Sequence, residues 1–200
     1  MNSSNQPPSP RSSKAEATRA AILKSARRLF AAHGYDGVGL RGIAEGAGVT
    51  AMMIGRYFGS KEGLFGDVVT DSMRDPVILS EANLAAPDIA RRFAEALIGL
   101  TGEGAEPLDG FLILFRSTAS PVAARIARER ILAAHQATAQ DLLKGQHAAE
   151  RAAIFLSIVA GFQMNRQMLQ LDPLVRADPA LLIELMTRVF EAIFGAADKR

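Results

Sequence analysis

Ile43-Ala44-Glu45-Gly46-Ala47-Gly48-Val49-Thr50, followed by Ala51-Met52-Met53-Ile54-Gly55-Arg56-Tyr57-Phe58 and Gly59-Ser60-Lys61-Glu62-Gly63-Leu64-Phe65, is the stretch whose reading decides the fold. A short helix ends at Gly48, a residue free to take the positive φ of a sharp turn. Val49 is apolar and suited to plug the corner, and Thr50 is a hydroxyl residue suited to cap a second helix. Ala44 is small, as a close helix crossing requires. Ile43, Val49, Ile54 and Phe58 form the inward set, the last two at i, i+4. This is the pattern of a helix-turn-helix, whose second helix enters the major groove of DNA.

The flanking sequence extends the pattern. Ile22-Leu23, Ala26 and Leu29-Phe30 lie on one face of an earlier helix, and Gly34-Tyr35 closes it. Ile43-Ala44, Ala47-Gly48-Val49-Thr50, Tyr57-Phe58, Ser60-Lys61-Glu62 and Leu64-Phe65 follow in order. On these pieces residues 18–68 resemble the N-terminal DNA-binding domain of the TetR family of transcriptional regulators. The rest resembles the family in being helical and of the usual length, with a loose similarity over Asp109 to Pro173. The chain departs from the family twice. Gly39 stands where a capping Ser or Thr is usual, and Gly55 stands where Tyr is common. Gly55 removes a usual phosphate contact and weakens a short helix by roughly 1 kcal/mol relative to alanine.

The resemblance implies which residues meet DNA: Thr50, Ala51, Met52, Gly55, Arg56 and Tyr57 on the reading helix, with Arg41 and Lys61 beside it. Arg56 is suited to a guanine edge or a phosphate, and Met52 to a thymine methyl. Arg11 and Lys14, ahead of the first helix, are possible tail contacts, with a plain solvated tail as the alternative. Charge is distributed accordingly. Up to Lys61 there are nine Lys and Arg against three acids, a net of +6, whereas the remainder carries a net of −4. A basic head on an acidic body suits a DNA-reading end joined to a part that does not touch DNA.

Two hundred residues, 48% hydrophobic and rich in Ala and Leu, predict an all-α protein with a substantial core. The expected plan is a disordered tail over 1–13, a three-helix DNA-binding domain over 14–60, a connecting helix over 61–75 and a regulatory body over 76–200. About nine helices are expected in all. In the body, helices are predicted from Pro87 to about Leu100, over Phe111 to Thr118, and from Ser120 to about Lys144. One long helix is expected over Ala148 to Leu171, and a last one from Asp178-Pro179. These last two are apolar on more faces than one intramolecular contact needs. Phe155, Val159, Phe162, Leu182, Met186, Val189, Phe190 and Ile193 are therefore expected at a homodimer interface, a four-helix bundle across a two-fold axis. Such a dimer would place two reading heads roughly 34 Å apart on palindromic double-stranded DNA.

An effector pocket is implied by the resemblance alone. Phe93, Phe111, Phe115, Phe162 and Met168 are its expected lining, with Gln163 or Gln167 as polar anchors, and an unknown hydrophobic small molecule as its occupant. No cofactor or metal is expected. There are no cysteines, and His33, His135 and His147 are far apart in sequence. No phosphate-binding loop, nucleophile elbow or zinc-protease motif is present, so no enzyme is indicated. With no signal peptide and no apolar run of membrane length, a cytoplasmic protein without a membrane partner is the expectation. The reading is a ligand-responsive repressor. The alternative is a helical small-molecule-binding protein with a degenerate reading head, motivated by Gly39 and Gly55.

Overall fold

A computed structural model of the chain describes residues 10–131, 143 and 145–195, with side chains from residue 13 onward. Eleven α-helices lie among the described residues: α1 (Pro10–His33), α2 (Leu40–Gly46), α3 (Ala51–Phe58), α4 (Lys61–Ser72), α5 (Glu81–Leu84), α6 (Ile89–Leu100), α7 (Asp109–Ser117), α8 (Pro121–Ile131), α9 (Ala148–Gln163), α10 (Asp172–Val175) and α11 (Pro179–Phe194). A π-helical turn, Met164–Met168, follows α9 directly. α5 and α10 are single turns of four residues. Without them the helices match the nine expected.

Two boundaries differ from the sequence expectation, and a third lies outside the described residues. α1 begins at Pro10, not at Lys14 or Ala17, so residues 10–13 belong to the helix. Proline suits a first turn, where its missing N–H has no partner to lose. The helix expected over 148–171 is α-helical only to Gln163 and then widens into the π turn. The second half of the helix expected to reach Lys144 lies outside the described residues.

The chain divides into two compact units, Met1–Asp71 with Leu112–Ala127, and Ser72–Phe111 with Arg128–Arg200. The expected connecting helix over 61–75 thus belongs almost wholly to the first unit. The reason is burial: Leu64, Phe65, Val68 and Val69 of α4 are in its core. The first unit also recruits residues of α7 and α8, which the sequence reading assigned to the body. Arg116 of α7 donates to the carbonyls of Ala31 and, at 3.1 Å, Ala32, in the last turn of α1. The Tyr35 N–H donates to Ser117 Oγ at 3.0 Å, and Ser120 Oγ donates to Asp36 Oδ1 at 3.1 Å. Phe30, Tyr35 and Phe65 pack with ring centroids 5.0–6.1 Å apart.

The second unit is built on α6 packed along α11, with α9 against them. Its core is aromatic. Phe155 lies 5.4 Å from Phe93, 5.1 Å from Phe190 and 5.6 Å from Phe194, ring centroid to centroid. Asp178 accepts from the Ala180 N–H and Pro179 opens α11, the cap-then-proline start read from the sequence. At the far end of α11, buried Arg151 donates to the carbonyls of Ile193 at 2.7 Å and Phe194 at 2.9 Å. No helix among the described residues is long and apolar enough to cross a membrane.

Candidate nucleic-acid interface and body cavity

The turn between α2 and α3 closes as the sequence requires. Gly48 takes φ +65, the Val49 N–H donates to Ala44 O at 3.0 Å and the Gly48 N–H to Glu45 O at 3.1 Å. This is a Schellman closure, which satisfies the last carbonyls of α2 and turns the chain in one residue. α1 and α2 meet closely. Ser25 Oγ donates to Ile43 O at 2.9 Å, and a Cβ at Gly46 would stand 2.4 Å from that same Oγ. Glycine is needed there by contact, although the sequence pointed to Ala44 alone.

α3 buries Ile54 completely and turns the opposite side outward. Thr50, Met52, Gly55 and Arg56 are exposed, Met52 to 84%, and Ala51, Met53 and Tyr57 are half-buried. Thr50 has extended backbone at the cap position, but its side chain makes no capping hydrogen bond. The expected cap is therefore absent, and the hydroxyl is exposed. Gly39 caps α2 with backbone geometry alone. Ser60 does cap α4, accepting from the Gly63 N–H at 3.1 Å.

The charges sort into paired and unpaired. Arg19 is bound to Asp67 at 2.6 Å and lies 5.1 Å above the Phe58 ring, and Arg27 is bound to Asp71 at 2.7 Å. Arg41 and Arg56, both exposed, make no ion pair among the described residues, and neither does exposed Lys14. Lys61 was expected beside the reading helix as a DNA contact. It is half-buried, its Nζ 4.2 Å from the centroid of the Tyr35 ring, which fixes the ammonium by a cation–π contact. Burial pushes the Tyr35 phenol up from its ordinary value, and the carboxylates of Glu62 and Asp36 add to the effect against Arg125. The side chain of Arg11 lies outside the described residues.

The body contains a cavity of about 840 Å³. It opens between the end of α6, the 101–105 loop, the π turn and the α10–α11 corner, lined by Ile98, Thr101, Arg166, Gln167, Ile183 and their neighbours. Of the seven residues expected to line a pocket, Gln167 lines this cavity and the other six are not among its lining residues. Phe93 and Phe162 are spent on the core, and Gln163 is buried without reaching the cavity. Phe111 and Met168 are half-buried elsewhere, and Phe115 is exposed on the part of α7 that belongs to the first unit. Large apolar side chains close-pack, so they fill space instead of framing it. The cavity forms where glycines and polar residues cannot fill the corner.

Arg166 was not foreseen. It is 6% exposed, and its Nη1 donates to Ile98 O at 3.0 Å and Thr101 Oγ1 at 3.1 Å. Burial lowers its pKa from the ordinary value. The sequence held one signal for it: Arg166 is the only charged residue between Arg151 and Asp172. Gln167 Nε2 donates to Leu100 O and Ala105 O at 3.3 and 3.4 Å, while its buried Oε1 has no partner among the described residues.

The expected dimer set divides in the same way. Phe155, Leu182 and Phe190 are buried within the chain, Phe162 is nearly so, and Val159, Met186 and Ile193 are half-buried against that core. Of the eight, only Val189 is exposed. The outer apolar face of α11 is instead Leu181, Leu185 and Val189, between 41% and 49% exposed, with Ile154 of α9 at 52%. In the first three apolar pairs on α11 one residue packs toward the core and the other is exposed, because α6 covers only one side of the helix, whereas Ile193 and Phe194 are both half-buried against the core. No group of three or more His, Cys, Asp or Glu among the described residues is placed to hold a metal ion, and His135 lies outside them.

Comparison with known proteins finds two family matches along the chain. The family described as "Bacterial regulatory proteins, tetR family" matches residues 22–68, and "Tetracyclin repressor-like, C-terminal domain" matches residues 87–194. The chain is 56% identical over 45 residues to the HTH-type transcriptional regulatory protein RaaS of Mycobacterium tuberculosis, covering 22% of this chain and 21% of that protein. It is 40% identical over 68 residues to the HTH-type transcriptional repressor AcnR of Corynebacterium glutamicum, covering 34% of this chain and 36% of that one. Both matches thus span far less than two thirds of the relative. Among solved structures, a putative tetR family regulator from Shewanella sp. PV-4 superposes with a TM-score of 0.68 at 18% identity, covering 92% of this chain and 99% of that one. NalD of Pseudomonas aeruginosa, the secondary repressor of the MexAB-OprM multidrug efflux pump, superposes with a TM-score of 0.59 at 22% identity, covering 86% and 96%.

Proposed function

The chain belongs to the tetR family of bacterial regulatory proteins, and on that premise we propose that it is a sequence-specific DNA-binding repressor, not an enzyme, which binds a palindromic operator as a homodimer and responds to a small-molecule effector held in its body. The observation that carries this reading is α3: a helix anchored by buried Ile54 whose outer side offers Thr50, Met52, the backbone of Gly55 and an Arg56 that makes no ion pair among the described residues. Arg56 supplies a bidentate donor for guanine, and Met52 an apolar contact for a thymine methyl. Arg41 and Lys61 flank it as phosphate contacts, Lys61 with its position set by Tyr35. The name repressor is borne by AcnR and NalD and is extended here to this chain.

Dimerisation joins two such heads. The face that serves it is Leu181, Leu185 and Val189 of α11 with Ile154 of α9, large apolar residues that a single chain leaves in water. Effector control follows as a population shift: a ligand that binds one arrangement of the dimer better draws the population away from the one that fits the operator.

Selection of sites from a random double-stranded DNA pool tests the reading, with Arg56→Ala as control. The expected result is a palindromic consensus bound in a salt-dependent manner by the wild type and lost or relaxed in the variant. No enrichment at low salt would overturn it in favour of a helical ligand-binding protein with a disabled head.

A further inference from the structure

The body cavity holds a cation, Arg166, that lies 6.0 Å from the Phe162 ring centroid but meets no carboxylate among the described residues. It is 6% exposed and lines the cavity. A guanidinium has five N–H donors. Two bonds from Nη1, to Ile98 O and Thr101 Oγ1, hold it against the carbonyl end of α6, whose partial negative charge offsets some of the cost of burial. The donors on Nε and Nη2 have no acceptor among the described residues, and neither atom is fully buried. Retaining a buried cation this way is costly unless something completes it.

The surrounding charges do not complete it. Glu95 lies on the cavity wall but is bound by Arg91 at 2.9 Å and Arg92 at 3.0 Å. Arg176 lies 3.5 Å from Asp172. Glu103, also on the cavity wall, is exposed to solvent in the 101–105 loop and makes no bond to Arg166 among the described residues. The backbone is unusual at the same place. Arg166 and Gln167 sit in the π turn, and Gln170, also on the wall, takes φ +50 although it is not glycine. π turns and left-handed non-glycine residues are costly features that gather at binding sites.

We infer that the cavity is built for a small organic carboxylate, with Nε and Nη2 of Arg166 taking the two carboxylate oxygens and Ile98, Val175, Ala177 and Ile183 receiving an apolar body. The fork of a guanidinium matches a carboxylate in two parallel hydrogen bonds, each stronger for being charge-assisted. The effector is then an anion with an apolar body, not a wholly apolar molecule. This assignment rests on the reading that the body binds an effector.

The test uses the full-length protein and matched probes: a series of aryl and alkyl carboxylates, benzoate and octanoate among them, each beside its primary amide. Binding is measured by calorimetry, and release of the selected operator by fluorescence anisotropy. The expected result is that at least one carboxylate binds about tenfold or more tighter than its amide. Arg166→Gln is expected to abolish that preference and Arg166→Lys to keep part of it, with helicity unchanged in both. Equal binding of acid and amide, an unchanged preference in Arg166→Gln, or no carboxylate binding at millimolar concentration would each overturn the assignment. Should Arg166→Gln fail to fold, acid against amide on the wild type decides alone. Carboxylate binding that leaves operator affinity unchanged would keep the site and sink the effector role. Operator release by a neutral compound, indifferent to Arg166, would do the reverse.

Discussion

Gly55 shows how one residue joins stability to recognition. It lies inside α3, where glycine costs about 1 kcal/mol relative to alanine, and a Cβ added there meets nothing within 4 Å. Gly55→Ala is therefore expected to raise unfolding stability by about 0.5–1 kcal/mol in urea titration. A loss of operator affinity alongside that gain would mark Gly55 as a point where backbone approaches DNA. Tyr35 gives a second prediction, in pH. Its phenol pKa is raised in the folded state, chiefly by burial. The unfolded chain releases this proton near the ordinary value of 10.0, while the folded chain holds it. The stability this contributes is complete below that pH and is lost as pH rises through the higher folded value. Tyr35→Phe should flatten the fall in stability above pH 10.0 relative to wild type, measured by denaturant titration across the alkaline range. Tyr35 was legible in the sequence as part of a motif. Its partnership with Lys61 was not, because twenty-six residues of chain separate a ring from the ammonium that lies over it.

At the level of elements, α1 ends at a glycine for two reasons that only the folded chain combines. Gly34 takes φ +68, and a Cβ there would stand 2.3 Å from the carbonyl oxygen of Arg116. The same residue of α7 reaches back to bind the carbonyls of Ala31 and Ala32. Gly34→Ala is expected to destabilise the first unit by about 2–4 kcal/mol, from backbone strain and overpacking together, as a lowered midpoint in thermal unfolding. The sequence marks Gly34 as a helix stop. It does not show what approaches it, since α7 looks like an apolar helix of the body. Likewise the periodicity of α9 and α11 identifies both helices and both apolar faces, but which face turns inward depends on where α6 lies.

For the whole molecule, the outward face of α11 carries the prediction. Leu185 is 48% exposed in the single chain, so a charge there costs the monomer little. At the centre of a dimer interface the same charge is desolvated without a partner. Leu185→Glu should leave far-UV helicity intact, convert the protein to monomers in sedimentation velocity, and weaken binding to a palindrome far more than to a half-site. A variant that remains dimeric would move the interface off this face.

The sequence by itself determined the helical class, the positions of most helices, the helix-turn-helix and the residues on its outer side. All of these follow from local rules: a 3.6-residue apolar period, a glycine that alone accepts positive φ cheaply, and a side of α3 opposite its buried isoleucine. Tertiary structure alone decided which of two apolar faces is core, that residues of α7 and α8 complete the first unit, and that Arg166 joins Gln167 on the cavity wall in place of the phenylalanines. Those outcomes depend on which segments distant in sequence meet and what volume they leave unfilled, and the periodicity of one helix carries no information about either.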